Sequence, residues 1–164
     1  LSNFIFTQQD KYFMYRAIKL ASFAEKKGEV PVGALLIKNQ RVIAEGWNQS
    51  INKNDPTAHA EIETLRKAGK LLKNHRLINT TLYVTLEPCP MCVGALLQGR
   101  VRRVVFGTPA LKTGAAGTVL NLFKDHSAYH YTDVEYGLLK EECHIQLKNF
   151  FKQRRKKIKK AIAL

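Results

Sequence analysis

His59-Ala60-Glu61 and Pro88-Cys89-Pro90-Met91-Cys92 hold the residue types that bind zinc and move protons beside it. Zn²⁺ takes imidazole nitrogen and thiolate sulfur, and a Cys-x-x-Cys at a helix start puts both sulfurs within reach of one ion. The exposed N–H groups of such a helix start also favour thiolates. One histidine from elsewhere makes three ligands and leaves the fourth tetrahedral position to water, as in catalytic rather than structural zinc sites. Glu61 is two residues from His59. An imidazole facing the metal therefore brings that carboxylate toward the water without making it a ligand. Zinc lowers the pKa of a coordinated water from about 15.7 toward about 7, and a nearby carboxylate takes its proton and returns it to a nitrogen leaving group.

Plainer readings compete. A Cys-x-x-Cys alone fits a redox pair or a structural zinc knuckle, and a lone histidine is usually a satisfied polar residue. A structural site needs a fourth ligand, for which Cys143, His75, His126, His130 and His144 are the spare candidates. Cys143 falls on the apolar stripe of the last expected helix, so core packing accounts for it. Both motifs occur together, each at a helix start, and that favours the open catalytic site.

The elements that must position these groups are legible in the periodicity. Phe13, Ala17, Leu20, Ala21 and Ala24 recur at helical spacing, which predicts a helix over Gln9 to Lys27 stopped by Gly28. Gly33 to Lys38 and Arg41 to Trp47 read as a hairpin about Asn39-Gln40. Asp55-Pro56-Thr57 is a helix-start signal ahead of Ala58 to Ala68, with Gly69 as its stop. Thr81 to Leu86 is a third strand leading into a helix from about Pro90 to Gly99, and Arg103 to Phe106 is a fourth. Thr108 to Gly117 is expected as an exposed loop of the kind that carries substrate contacts. Tyr131 to Tyr136 reads as a short fifth strand. Leu139, Cys143, Leu147, Phe150 and Phe151 mark a long last helix. Tyr12, Phe13 and Tyr15 read as packing residues. Helices alternating with strands give an α/β layered domain over a mostly parallel sheet, the one hairpin excepted.

Composition bounds the function. At 164 residues, with 45% hydrophobic and 24% charged residues, the chain suits one folded domain over 1–164 and excludes disordered or fibrous classes. Three cysteines and no apolar signal segment argue against a secreted disulfide framework and for the cytoplasm. No stretch approaches the roughly 20 apolar residues of a membrane span. The chain starts at Leu1, so residues upstream of it are expected.

The net charge of +14 points to a polyanionic partner. From Cys143 onward eight basic residues meet no acidic one, a basic tail that begins at about Lys148. Charge runs are usually just solvated faces. Here Phe150-Phe151 precede Lys152, Arg154 and Arg155, and aromatic faces beside cations suit stacking and phosphate contact on single-stranded RNA.

The two metal motifs match the His-x-Glu and Pro-Cys-x-x-Cys signature of zinc nucleobase deaminases. Further stretches narrow the match: EVPVGALLI (Glu29 to Ile37), EGWN (Glu45 to Asn48), DPTAHAEI (Asp55 to Ile62), TLYVTLEPCPMC (Thr81 to Cys92), RVVFG (Arg103 to Gly107), KTGAAG (Lys112 to Gly117) and FFKQRR (Phe150 to Arg155). Over nearly its whole length the chain resembles the bacterial tRNA-specific adenosine deaminases of the cytidine-deaminase-like superfamily. That resemblance implies a three-layer α/β/α domain with a five-stranded mixed sheet, and a homodimer. It implies conversion of adenosine to inosine at the wobble position in the anticodon stem-loop of a tRNA. It assigns one Zn²⁺ per chain to His59, Cys89 and Cys92, and the proton shuttle to Glu61.

For the substrate the resemblance implies a base contact from Asn48, an apolar pocket wall at Val32, a base-edge contact from the Ala58 N–H, and RNA contacts from Lys112, Phe151 and the basic residues that follow. The aspartate that the family often carries after the fourth strand is absent, and Ala110 stands in its place, removing an acceptor for a ribose hydroxyl. Two other functions are weighed against this one. A deaminase of free guanine or cytidine has no need of an extended cationic tail, and a non-catalytic RNA-binding zinc module has no use for Glu61 beside an open zinc position.

Overall fold

Thr7 starts the first helix with a capping box: its hydroxyl accepts from the Asp10 N–H at 3.0 Å, and the Asp10 carboxylate accepts from the Thr7 N–H at 2.8 Å. The computed structural model describes residues 4–124 and 130–163. Helix α1 (Gln8–Lys26) is followed by the hairpin β1 (Gly33–Lys38) and β2 (Arg41–Trp47), a short helix α2 (Ser50–Lys53), and α3 (Ala60–Leu72). Then come β3 (Thr80–Leu86), α4 (Pro90–Gln98), β4 (Arg103–Thr108), β5 (Asp133–Tyr136) and α5 (Lys140–Ile162). Both strands of the hairpin have the expected bounds. Helix α3 differs, because Gly69 does not stop it; the helix ends a turn later, where Lys73 takes the left-handed conformation. A lone glycine costs a helix only about 1 kcal/mol, and Leu72 in the added turn packs against the core.

The sheet order is β2-β1-β3-β4-β5. Beyond the hairpin, β1 also pairs antiparallel with β3, while β3–β4 and β4–β5 are parallel. The sheet is therefore evenly mixed and not mostly parallel. Strand register explains why one end collects the chemistry: Gly33 opposes Trp47, Ala34 opposes Val84, and Leu86 opposes Thr108. The start of β1 and the ends of β2, β3 and β4 thus share one edge.

Helices α1 and α5 cover one face, where Phe13, Met14, Leu35, Tyr83, Val105 and Cys143 are buried together. Gln146 of α5 ties the two helices by donating to the Ser22 hydroxyl and the Ile18 carbonyl. Helices α3 and α4 cover the other face over Leu36, Leu82, Val84, Val93, Leu96 and Val104. This three-layer arrangement is the expected one. Helix α3 lies directly on β2 because Gly46 has no side chain there; a Cβ would stand 2.6 Å from the Thr64 hydroxyl and 2.7 Å from the Ala60 carbonyl.

Of the aromatics expected to pack near the N-terminus, only Phe13 is buried, and Tyr12 and Tyr15 are exposed on α1. Cys143 is buried, as expected of a core residue. No helix among the described residues is long and apolar enough to cross a membrane.

A buried polar stitch joins α1 to three strands. The Tyr83 hydroxyl donates to Asp10 at 2.6 Å, Arg103 donates to the same oxygen at 3.0 Å, and the Arg103 fork also holds Glu135 at 3.0 and 2.7 Å. Burial pushes the Asp10 carboxyl up, but the bonds from Tyr83, Arg103 and Thr7 outweigh burial and hold it at about 2 against the ordinary 3.8. A depressed carboxyl contributes stability that is fully present above the unfolded value and is lost as pH falls through the folded one. Asp10→Asn is therefore expected to cost about 2 kcal/mol at neutral pH. In urea unfolding this gap between variant and wild type should narrow as pH is lowered from 3.8 through about 2. A gap independent of pH would show that the Asp10 charge contributes nothing.

Candidate active site

Cys89 is the N-cap of α4, Pro90 takes the first helical position, and Cys92 is the third residue of that helix. N-cap and third position lie side by side in any helix start, so the Cys-x-x-Cys spacing brings the two sulfurs together locally. His59 is the N-cap of α3, and its side chain makes no capping bond. The imidazole turns instead toward α4, with Nδ1 at 3.6 Å from Cys89 Sγ and 3.6 Å from Cys92 Sγ. Tetrahedral zinc with Zn–S near 2.3 Å and Zn–N near 2.0 to 2.1 Å requires N···S separations of about 3.6 Å. The donor set therefore fits the ion, and all three ligand atoms lie within 4.8 Å of one another.

No other group of three or more metal-binding side chains occurs among the described residues. Of the spare candidates, Cys143 is buried under Gly107, His130 bonds the Val101 carbonyl at 3.1 Å, His75 lies at a groove between α3 and α4, and His144 is exposed on α5. His126 lies outside the described residues.

The electrostatics suit a metal site. Its hydrogen bond from Cys92, with help from His59 and against burial, holds the Cys89 thiol at about 4. Cys92 is pushed up by that same bond, by burial and by Glu61. His59 is raised, chiefly by its contact with Cys89. Zinc takes both sulfurs as thiolates, so its binding releases whatever proton the pair carries. Glu61, in the first turn of α3, is almost fully buried, and burial pushes its carboxyl up to about 7.

Asn48 follows the end of β2. Its N–H donates to the Val32 carbonyl at 3.1 Å, and its side-chain oxygen accepts the Ala60 N–H at 3.2 Å. That bond uses the amide oxygen, so what Asn48 has to offer a substrate is the donors of its NH₂. Val32 is buried just ahead of β1. The Ala58 N–H is already paired, donating to the Asp55 carbonyl at 3.1 Å. The structure therefore brings His59, Cys89, Cys92, Glu61, Asn48 and Val32 to one place through the shared sheet edge, whereas Lys112 stands exposed on the loop after β4.

That loop is not the exposed segment expected from its composition. Thr108, Ala110, Ala115 and Ala116 are buried, and only Leu111 to Thr113 and the stretch from Gly117 face solvent. The reason is Glu87, which sequence reasoning missed. Its buried carboxylate accepts the Ala110 and Ala116 N–H groups at 3.0 Å and the Thr118 N–H at 3.1 Å. These partners are 23, 29 and 31 residues away, beyond any local pattern.

An open His-Cys-Cys metal site at two helix starts, a buried carboxylate beside it and this sheet define a zinc-dependent deaminase. The family model for the zinc-binding region of cytidine and deoxycytidylate deaminases matches residues 7–108. The chain is 51% identical over 156 residues to the tRNA-specific adenosine deaminase of Haemophilus influenzae, covering 93% of this chain and 90% of that one. It is 46% identical over 153 residues to the tRNA-specific adenosine deaminase of Bacillus subtilis, covering 93% and 95%. A solved structure from work on A-to-I editing by tRNA:A34 deaminases at the wobble position of transfer RNA superposes with a TM-score of 0.81 at 40% identity, over 83% of this chain and 99% of that one. The chain belongs to the tRNA-specific adenosine deaminases.

Proposed function

We propose that this protein hydrolytically deaminates adenosine to inosine at the wobble position of a tRNA anticodon, with one zinc ion per chain. The observation that carries the reading is the three-ligand site with buried, non-ligating Glu61 beside it. His59, Cys89 and Cys92 would hold the zinc, which when bound supplies a water whose pKa lies near neutrality. Glu61, buried beside the ligands and raised above the ordinary carboxyl value by that burial, is placed to take a proton and to deliver it to the ring and to departing ammonia. The Asn48 NH₂ orients the flipped base through an acceptor on its edge, and Val32 walls the pocket with apolar surface.

The tail suits the substrate. Phe150 is buried and anchors α5, Phe151 is 41% exposed, and Arg154 stands 5.8 Å over the Phe150 ring. From Lys152 on, α5 is exposed on every side. Phe151 and these cations give a stacking face with phosphate contacts, and Lys112 adds another cation. A homodimer belongs to the same reading: an apolar groove between α3 and α4, lined by Ile62, Leu65, Leu77 and Ala95, is surface that a second copy would cover.

Incubation with unmodified tRNA transcripts, read by sequencing for adenosine-to-inosine changes, tests the reaction; no change at any anticodon overturns it. Truncation before Arg154 removes six of the eight basic residues that follow Cys143. If three of the six touch phosphate, the log–log salt slope of tRNA binding should become shallower by about 2, at about 0.7 per contact on single strands. An unchanged affinity and slope would leave the tail as mere solvated charge.

A further inference from the structure

The Glu87 carboxylate is buried at 3% exposure, and no cation pairs with it among the described residues. What satisfies it is backbone from both arms of a single loop: Ala110 on one oxygen, Ala116 and Thr118 on the other. Two backbone bonds close the frame, from the Glu87 N–H to the Thr108 carbonyl at 2.9 Å and from the Ala115 N–H to the Pro88 carbonyl at 2.9 Å. The loop is pressed so tightly onto this carboxylate that a Cβ at Gly114 would stand 2.3 Å from Oε2 and 2.7 Å from the Ala110 carbonyl. Glu87 and Pro88 lead directly into the ligand Cys89, so one strand end fixes both the metal turn and the loop. Ala110 and Gly114 to Ala116 are buried, while the tip, Leu111 to Thr113, faces solvent, as do Gly117 and Thr118.

We infer that Glu87 is a positioning residue for substrate: its carboxylate holds the loop of residues 109–118 in one shape, so that the tip with Lys112 meets the RNA without first having to be ordered. The inference rests on the tRNA-deaminase reading for its substrate, and on geometry alone for the loop. A buried carboxylate serves better than an amide here, because both of its oxygens only accept. In Glu87→Gln one position becomes an NH₂ group facing an N–H donor, and at least one charge-assisted bond is lost. A loosened loop must then be ordered by the substrate itself, which weakens binding in ground and transition states alike and raises KM with little change in kcat.

Glu87→Gln is expected to keep about one zinc per chain and to exchange the amide hydrogens of Ala110, Ala116 and Thr118 faster, with those of α1 and α5 unchanged. KM for a tRNA transcript should rise roughly 10- to 100-fold with kcat within about threefold of wild type. Gly114→Ala keeps the carboxyl group but drives a methyl between it and the loop, so it should reproduce the KM effect if Glu87→Gln folds poorly. Loss of zinc with faster exchange throughout Gly114→Ala, or an unchanged KM in both variants, would overturn the inference. A wild-type protein that makes no inosine would instead overturn the tRNA reading, and the exchange measurement would still decide whether Glu87 holds the loop.

Discussion

Glu61→Gln is expected to lower inosine formation by about 10²- to 10⁴-fold while zinc stays near one equivalent per chain. Glu61 stands outside the ligand set, since the metal group comprises His59, Cys89 and Cys92. It nevertheless lies in hydrogen-bond contact with Cys92 and within the field of His59. Burial raises its carboxyl above the ordinary value, which favours a group that both accepts and donates a proton. Glutamine keeps the shape and the burial and can do neither. Single-turnover conversion of a tRNA transcript isolates the chemical step from product release. A near-normal rate would place the shuttle elsewhere, and loss of zinc would make Glu61 a ligand.

Cys89→Ala is expected to abolish zinc retention and activity together, and to lower thermal stability as well. A ligand that binds only the folded state stabilises it by about 4 kcal/mol when present at a thousand times its Kd. For a domain of this size that corresponds to a melting temperature lower by roughly 8 to 16 °C. The loss has a local cause: with Cys89 gone, the N-cap of α4 holds no sulfur beside Cys92, and His59 faces a single thiol. A chelator should reproduce the shift in wild type and add nothing in the variant. Full zinc content in Cys89→Ala would remove that residue from the site, and a chelator that moves both proteins equally would place the stabilising metal elsewhere.

The local features were legible because they are written within a few residues. Gly33–Lys38 and Arg41–Trp47 are two apolar runs with a two-residue turn between them, and Asn39 and Gln40 take the positive φ that such a turn demands. Cys89, Pro90 and Cys92 define a helix start and a sulfur pair by spacing alone. Gly69 misled because a glycine is a helix stop only when nothing packs the next turn. The segment from Thr108 to Gly117 misled because composition reports the cost of burying backbone, and Glu87 supplies acceptors that composition does not show.

By itself the sequence determined the ligand types, the non-ligating carboxylate two residues from the histidine, and the basic tail, since each follows from side-chain chemistry and helical or strand period. Only the tertiary structure decided that His59 meets sulfurs 30 and 33 residues away at 3.6 Å, that the Asn48 oxygen is spent on the Ala60 N–H, and that Glu87 gathers the loop. Those pairings depend on strand order and register: β1 set antiparallel against both β2 and β3 brings its start and their ends to one edge. Period and capping act over a turn or two of chain, whereas which ends of which strands become neighbours is settled by how the whole sheet buries its two faces.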